Sequence, residues 1–131
     1  MTQEAFQVVG GDHDFDYWDD AVRGAVGWKT LVSASQTPSK ELSCGIANFP
    51  SGGTLSRHKH QKAEVIHIIH GHGIGRVGDA SFHLSTGDTV FVPAGTPHEW
   101  VASDEGMGVF YVFASDRFED VEYTFMSLGE K

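Results

Sequence analysis

The chain has 131 residues, 40% of them apolar, and sets 9 Lys and Arg against 18 Asp and Glu for a net charge of −9. One domain of that length can bury its own core, and the acidic balance argues against nucleic acid or an anionic membrane surface as a partner. No run approaches the ~20 consecutive apolar residues of a membrane span, so no membrane partner is expected either.

Residues 1–27 read as an irregular N-terminal segment that packs on a barrel or on a dimer partner. Its acidic, aromatic stretch DHDFDYWDD (12–20) lacks the full oxygen-ligand pattern of a calcium loop. It reads as a solvated strip with Phe15, Tyr17 and Trp18 pinned onto the rest of the fold. From residue 28 to 131 the pattern is β. The runs WKTLVSA, LSCGIANF, TLSRHKH, AEVIHIIH, GIGRVG, ASFHL, DTVFVP, HEWVA and GVFYVFA are rich in β-branched and aromatic residues. Gly-, Pro-, Asp- and Ser-bearing stretches separate them, which are turn signals. A short helix is expected near 115–121. Many short strands with little helical periodicity give an all-β sandwich or barrel. The lone Cys44 sits in a strand-like run as a small buried hydrophobe. A single cysteine, and a first stretch without a basic, then apolar, leader, fit a cytoplasmic location.

Two glycine-framed segments carry the chemistry, GGTLSRHKHQKAEVIHIIHG (52–71) and GDTVFVPAGTPHEW (87–100). Side chains alternate along a strand, so His58 and His60 share a face. Glu64 opens the next strand after a tight bend, with Ile66 and Ile68 on its face. His98 follows the PAGTP turn, with Trp100 on its face. Three imidazoles and a carboxylate around one point suit one divalent first-row metal: Fe, Mn, Ni, Zn, Co or Cu. Four protein ligands would leave positions open for a small molecule. Gly52, Gly71 and Gly87 are placed where positive φ is needed.

The pocket beside such a metal is expected to be lined by Ile66, Ile68 and Trp100, with Phe110 or Val112. His67 falls on the opposite face, at a sheet-packing or subunit surface. His70 and His72 flank a turn and are expected to be exposed; His83 is a weaker candidate for a supporting role near the site. His13 has no assigned role.

The two segments resemble the paired motifs of the cupin superfamily. G-x5-H-x-H-x3-E-x6-G is met by Gly52, His58, His60, Glu64 and Gly71. G-x5-P-x-G-x2-H-x3-N is met by Gly87, Pro93, Gly95 and His98, with Ala102 in place of the final Asn. The resemblance implies a double-stranded β-helix (jelly-roll) barrel, a homodimer, and His58, His60, Glu64 and His98 as metal ligands. It leaves the reaction open, because cupins include oxygenases, decarboxylases, isomerases, lyases and non-catalytic binders.

FYVFASDRFEDVEYTF (110–125), with the early GWKTLV, also resembles the short cupin-type dimethylsulfoniopropionate lyases. In that group a tyrosine two residues beyond the glutamate ligand serves as base; here that position is Ile66. Tyr123 and Tyr111 are then the candidate catalytic residues. With apolar walls and no sure base, dioxygenase-type chemistry on a small oxygen-bearing metabolite is placed first. Metal-dependent lyase chemistry and non-catalytic small-molecule binding are the alternatives.

Overall fold

The computed structural model describes residues 3–10 and 14–126; His13 lies outside them. The described residues form an antiparallel β-barrel of nine strands. They are β1 (Asp16–Asp20), β2 (Gly24–Val32), β3 (Ser43–Phe49), β4 (Thr54–Lys59), β5 (Glu64–Val77), β6 (Ala80–Ser85), β7 (Thr89–Val92), β8 (His98–Phe113) and β9 (Thr124–Phe125). The order across the sheet is β6-β5-β8-β3-β2-β4-β9, with β1 on β2 and β7 on β5. β8 pairs with β3 through its second half and with β4 through its first, which closes β8, β3, β2 and β4 into a ring. This is the expected jelly roll. Among the described residues no helix is long and apolar enough to cross a membrane.

Several boundaries differ from expectation. The irregular segment ends sooner: β1 and β2 form a hairpin before residue 28, and that boundary falls inside β2. The acidic composition conceals β1 because Trp18 alone among its five residues is shielded from solvent. The expected helix near 115–121 is a single 3-10 turn, Phe118–Asp120. AEVIHIIH and GIGRVG are one strand, β5, and HEWVA and GVFYVFA are one strand, β8.

Both long strands switch faces midway. In β5 the inward residues are Glu64, Ile66 and Ile68, then Gly73, Gly75 and Val77; in β8 they are His98, Trp100 and Ala102, then Met107, Val109, Tyr111 and Phe113. The switches face each other, where the β5–β8 register slips between Ile68 and His70 and between Gly71 and Gly73. An extra residue in a strand turns every later side chain to the other face. Gly71 makes this possible: its φ is +75°, and a Cβ there would overlap the Gly106 carbonyl oxygen. So Gly71 sits in a bulge rather than in the expected turn, while Gly52, Gly71 and Gly87 all have the expected positive φ. The switch also corrects the expected pocket face: Val109 and Tyr111 point inward, not Phe110 or Val112.

The core of Ile66, Ile68, Leu84, Val92, Trp100, Met107 and Phe113 fills the barrel. Trp100 fits because its register partner is Gly75, over which its ring lies.

Candidate metal centre

His58 is near the end of β4, His60 lies just beyond it, Glu64 opens β5 and His98 opens β8. His58 and His98 are direct register partners, so their side chains start about 5 Å apart or less. Their ring centroids are 4.1 Å apart, and the His60 ring is 4.8 Å from that of His98. The ligand atoms of the three histidines all lie within 4.8 Å of one another. The Glu64 Oε1 atom lies 3.4 Å from Nε2 of both His60 and His98. The three rings are almost fully buried, and Glu64 is 7% exposed.

Each ring is aimed by the main chain. His58 Nδ1 is 2.7 Å from the Ser56 carbonyl oxygen, His60 Nδ1 is 2.8 Å from that of Lys62, and His98 Nδ1 is 2.8 Å from that of Thr96. A carbonyl only accepts, so each Nδ1 carries the donating proton and Nε2 is the nitrogen turned inward, with a lone pair free to ligate whenever the ring is neutral. Nε2 of His60 and of His98 are buried and have no hydrogen-bond partner among the described residues. Inward lone pairs facing a buried carboxylate repel unless positive charge sits between them. That charge is a proton in the metal-free protein or a metal cation, and the three-nitrogen, one-oxygen set fits a first-row divalent ion.

The electrostatics agree. Burial, followed by the neighbouring His98, pushes the His58 pKa down to about 3, so the ring stays neutral and able to ligate. Burial alone would raise the Glu64 carboxyl, but the facing His60 and His98 imidazoles outweigh it and hold the carboxyl below its ordinary value.

Glu64 also lines a narrow cavity that is partly open to solvent. Its walls contain Trp18, Trp28 and Trp100, all three tryptophans of the chain, together with Phe49, Tyr111 and Tyr123. Ile66 is a wall residue as expected. Ile68, two residues on, is fully buried in the core and does not line this cavity. Tyr123 stacks on His58 at 5.0 Å and meets the His60 ring edge-on at 5.3 Å. Tyr111 is the register partner of both Ile66 and Gly45. Its hydroxyl is buried and makes no hydrogen bond among the described residues. Burial raises both phenols above their ordinary pKa, so both are neutral in the metal-free protein.

The other described histidines lie elsewhere. His67 Nδ1 meets the Thr89 hydroxyl, His70 covers Gly108, His72 pairs with Glu105, and His83 is exposed on β6. Sequence reasoning missed Trp28 and Phe118 as wall residues. Trp18 was expected to pin the N-terminal strip but not to border the site; its ring meets Trp28 at 4.8 Å and Tyr123 at 5.3 Å.

The model of the cupin domain matches residues 45–113, and the chain belongs to the cupin family. It is 32% identical over 106 residues to dimethylsulfoniopropionate lyase DddW of Ruegeria pomeroyi, covering 81% of this chain and 70% of that one. A cupin 2 conserved barrel domain protein from Rhodopseudomonas palustris superposes with a TM-score of 0.76 at 20% identity, over 94% of this chain and 86% of that one. A chain from the crystal structures of the DMSP lyases RdDddP and RnDddQII has a TM-score of 0.69 at 19% identity, over 78% of this chain and 53% of that one. At such identities the structural likenesses speak for the fold alone.

Proposed function

We propose that the protein is a metal-dependent lyase: His58, His60, Glu64 and His98 hold one divalent cation, and the substrate is a small carboxylate bearing an onium group. The observation that carries this reading is the aromatic cavity joined to the ligand set at Glu64. Tryptophan and tyrosine faces attract a cation that has no protons to donate, and such cages suit methylated onium groups. The carboxylate end would then lie toward the ligands and the onium end among the aromatic rings. Relatedness to a dimethylsulfoniopropionate lyase supports the same substrate class.

A bound divalent cation would polarise the substrate carboxylate, acidify its α-proton and favour ionisation of a neighbouring phenol. Tyr123, stacked on His58, is the phenol beside the ligands, and on this reading it accepts that proton. As the proton leaves the α-carbon, its electron pair forms the C=C bond and the β-carbon–sulfur pair departs with dimethyl sulfide. The apolar walls exclude water and keep the onium group against the rings. Tyr111 and Ile66 are further wall residues.

The test is headspace detection of dimethyl sulfide from metal-loaded protein given dimethylsulfoniopropionate, with Tyr123→Phe alongside. Release by the wild type and a loss of about a hundredfold or more in the variant are expected. No release would refute the reading. Ile66, at the position where the resembling lyases carry a base, favours a second reading: oxygenation of an enol or aromatic substrate. Oxygen uptake with flavonols, diketones or catechols in place of sulfide release would establish it. Bound metal with neither activity would leave a binding protein.

A further inference from the structure

The cavity beside Glu64 and an open surface groove share three wall residues. The groove runs between the β1–β2 hairpin and the end of β3, along Tyr17, Asp19, Gly27, Asn48 and Pro50; Trp18, Val26 and Phe49 face both spaces. Val26 and Phe49 are core residues of long strands. Trp18 is different. It belongs to a five-residue strand that pairs, among the described residues, with β2 alone.

The indole is held by side chains rather than by a sheet on both sides. Trp28 and Tyr123 meet it from the cavity, Phe125 meets it from β9, and the Arg23 guanidinium lies 4.8 Å from its ring centre. Arg23 is itself tied to Asp20 by a 2.7 Å ion pair across the β1–β2 turn. Behind the indole stands Tyr123, and behind Tyr123 the His58 ring. A second depression, lined by Lys59, Gln61, Lys62, Asp120, Glu122 and Thr124, reaches His60 but shares no wall residue with the cavity.

We propose that the groove beside the β1–β2 hairpin is the entrance to the cavity and the histidine cluster, and that Trp18 is the side chain that closes it. Trp18 thereby limits the size of what reaches Glu64. The inference builds on the cavity assigned above as the substrate site, but access to the histidines can be measured without metal or turnover.

Metal-free protein is treated with diethyl pyrocarbonate, and acylation is followed at each histidine by peptide mass spectrometry. Exposed His72 and His83 serve as internal references. Trp18→Ala should label His58 and His98 about tenfold faster or more, with the references unchanged, because entry no longer waits for a local opening; His60, which the second depression reaches, is left out of the comparison. Asn48→Trp, which places an indole in the groove at a partly exposed strand position, should slow labelling of the same two. A variant that merely loosened the fold would accelerate it, so this plug decides the matter even if Trp18→Ala fails to fold. Unchanged rates in Asn48→Trp, or slowing by Thr124→Trp instead, would overturn the proposal. Absence of metal or of dimethyl sulfide release would refute the proposed function and leave this result standing.

Discussion

Metal-free protein should lose stability as pH falls from about 6.5 to about 5, and His58 should account for much of the loss. In the folded chain His58 is held neutral down to about 3, whereas in the unfolded chain it protonates near its ordinary value of about 6.5. Between those values the unfolded state binds the extra proton, so stability is intact above about pH 6.5 and declines below it. A pH of about 5 lies about 1.5 units below the unfolded pKa, so protonation favours the unfolded state there by about 2 kcal/mol. For a domain of this size that is roughly 6–10 °C of melting temperature. Glu64, held below its ordinary carboxyl value, titrates outside this window. Thermal melts in chelator across the range, for the wild type and His58→Gln, isolate the contribution: the variant should show a pH slope flatter by about that amount. Equal slopes would mean that His58 is not held neutral by burial.

Three further outcomes follow. His98→Ala should keep a cooperative melt but lose bound metal on elemental analysis, since one ligand in four is gone while the apolar core is untouched; wild-type metal content would refute the ligand assignment. Gly52 and Gly71 have φ of +65° and +75°, but a Cβ at Gly52 meets nothing within 4 Å whereas one at Gly71 meets a backbone oxygen. Gly52→Ala should therefore cost about 1–2 kcal/mol of left-handed strain in urea unfolding, and Gly71→Ala clearly more; equal costs would refute the packing argument. We further propose a homodimer through the outer face of the sheet, where the cross-strand rows Phe91–Val65–Val112–Cys44 and His67–Phe110–Ile46 carry no carboxylate in an otherwise acidic chain. Light scattering should give twice the chain mass for the wild type and the single-chain mass for Phe91→Glu, and a monomeric wild type would end the idea.

Fold and ligand-type residues were legible in the sequence because period-two spacing and glycine placement are local properties. His58 and His60 share a face by alternation alone, and Glu64 and His98 fall at strand starts that the preceding turn residues announce. The cavity walls were less legible for two physical reasons. The face switch in β8 depends on a slip against β5, and simple alternation carried on from His98 selects Phe110 and Val112 in place of Val109 and Tyr111. The second reason is β1, where Trp18 is surrounded by exposed aspartates and Tyr17, so one inward side chain in five leaves no alternating pattern to detect. Its partners, Trp28 and Tyr123, come from distant parts of the chain and meet it only after closure of the barrel.

The three imidazoles are steered by peptide carbonyls two residues away along the same stretch of chain, at Ser56, Lys62 and Thr96. Exchange of those three side chains leaves the steering groups in place, since every amino acid brings the same carbonyl. The donor cluster is therefore a fixed socket drawn by the course of the backbone, while the aromatic box beside it is drawn by replaceable side chains. An engineer could re-cut the box for a different guest, one wall at a time, without re-aiming the socket.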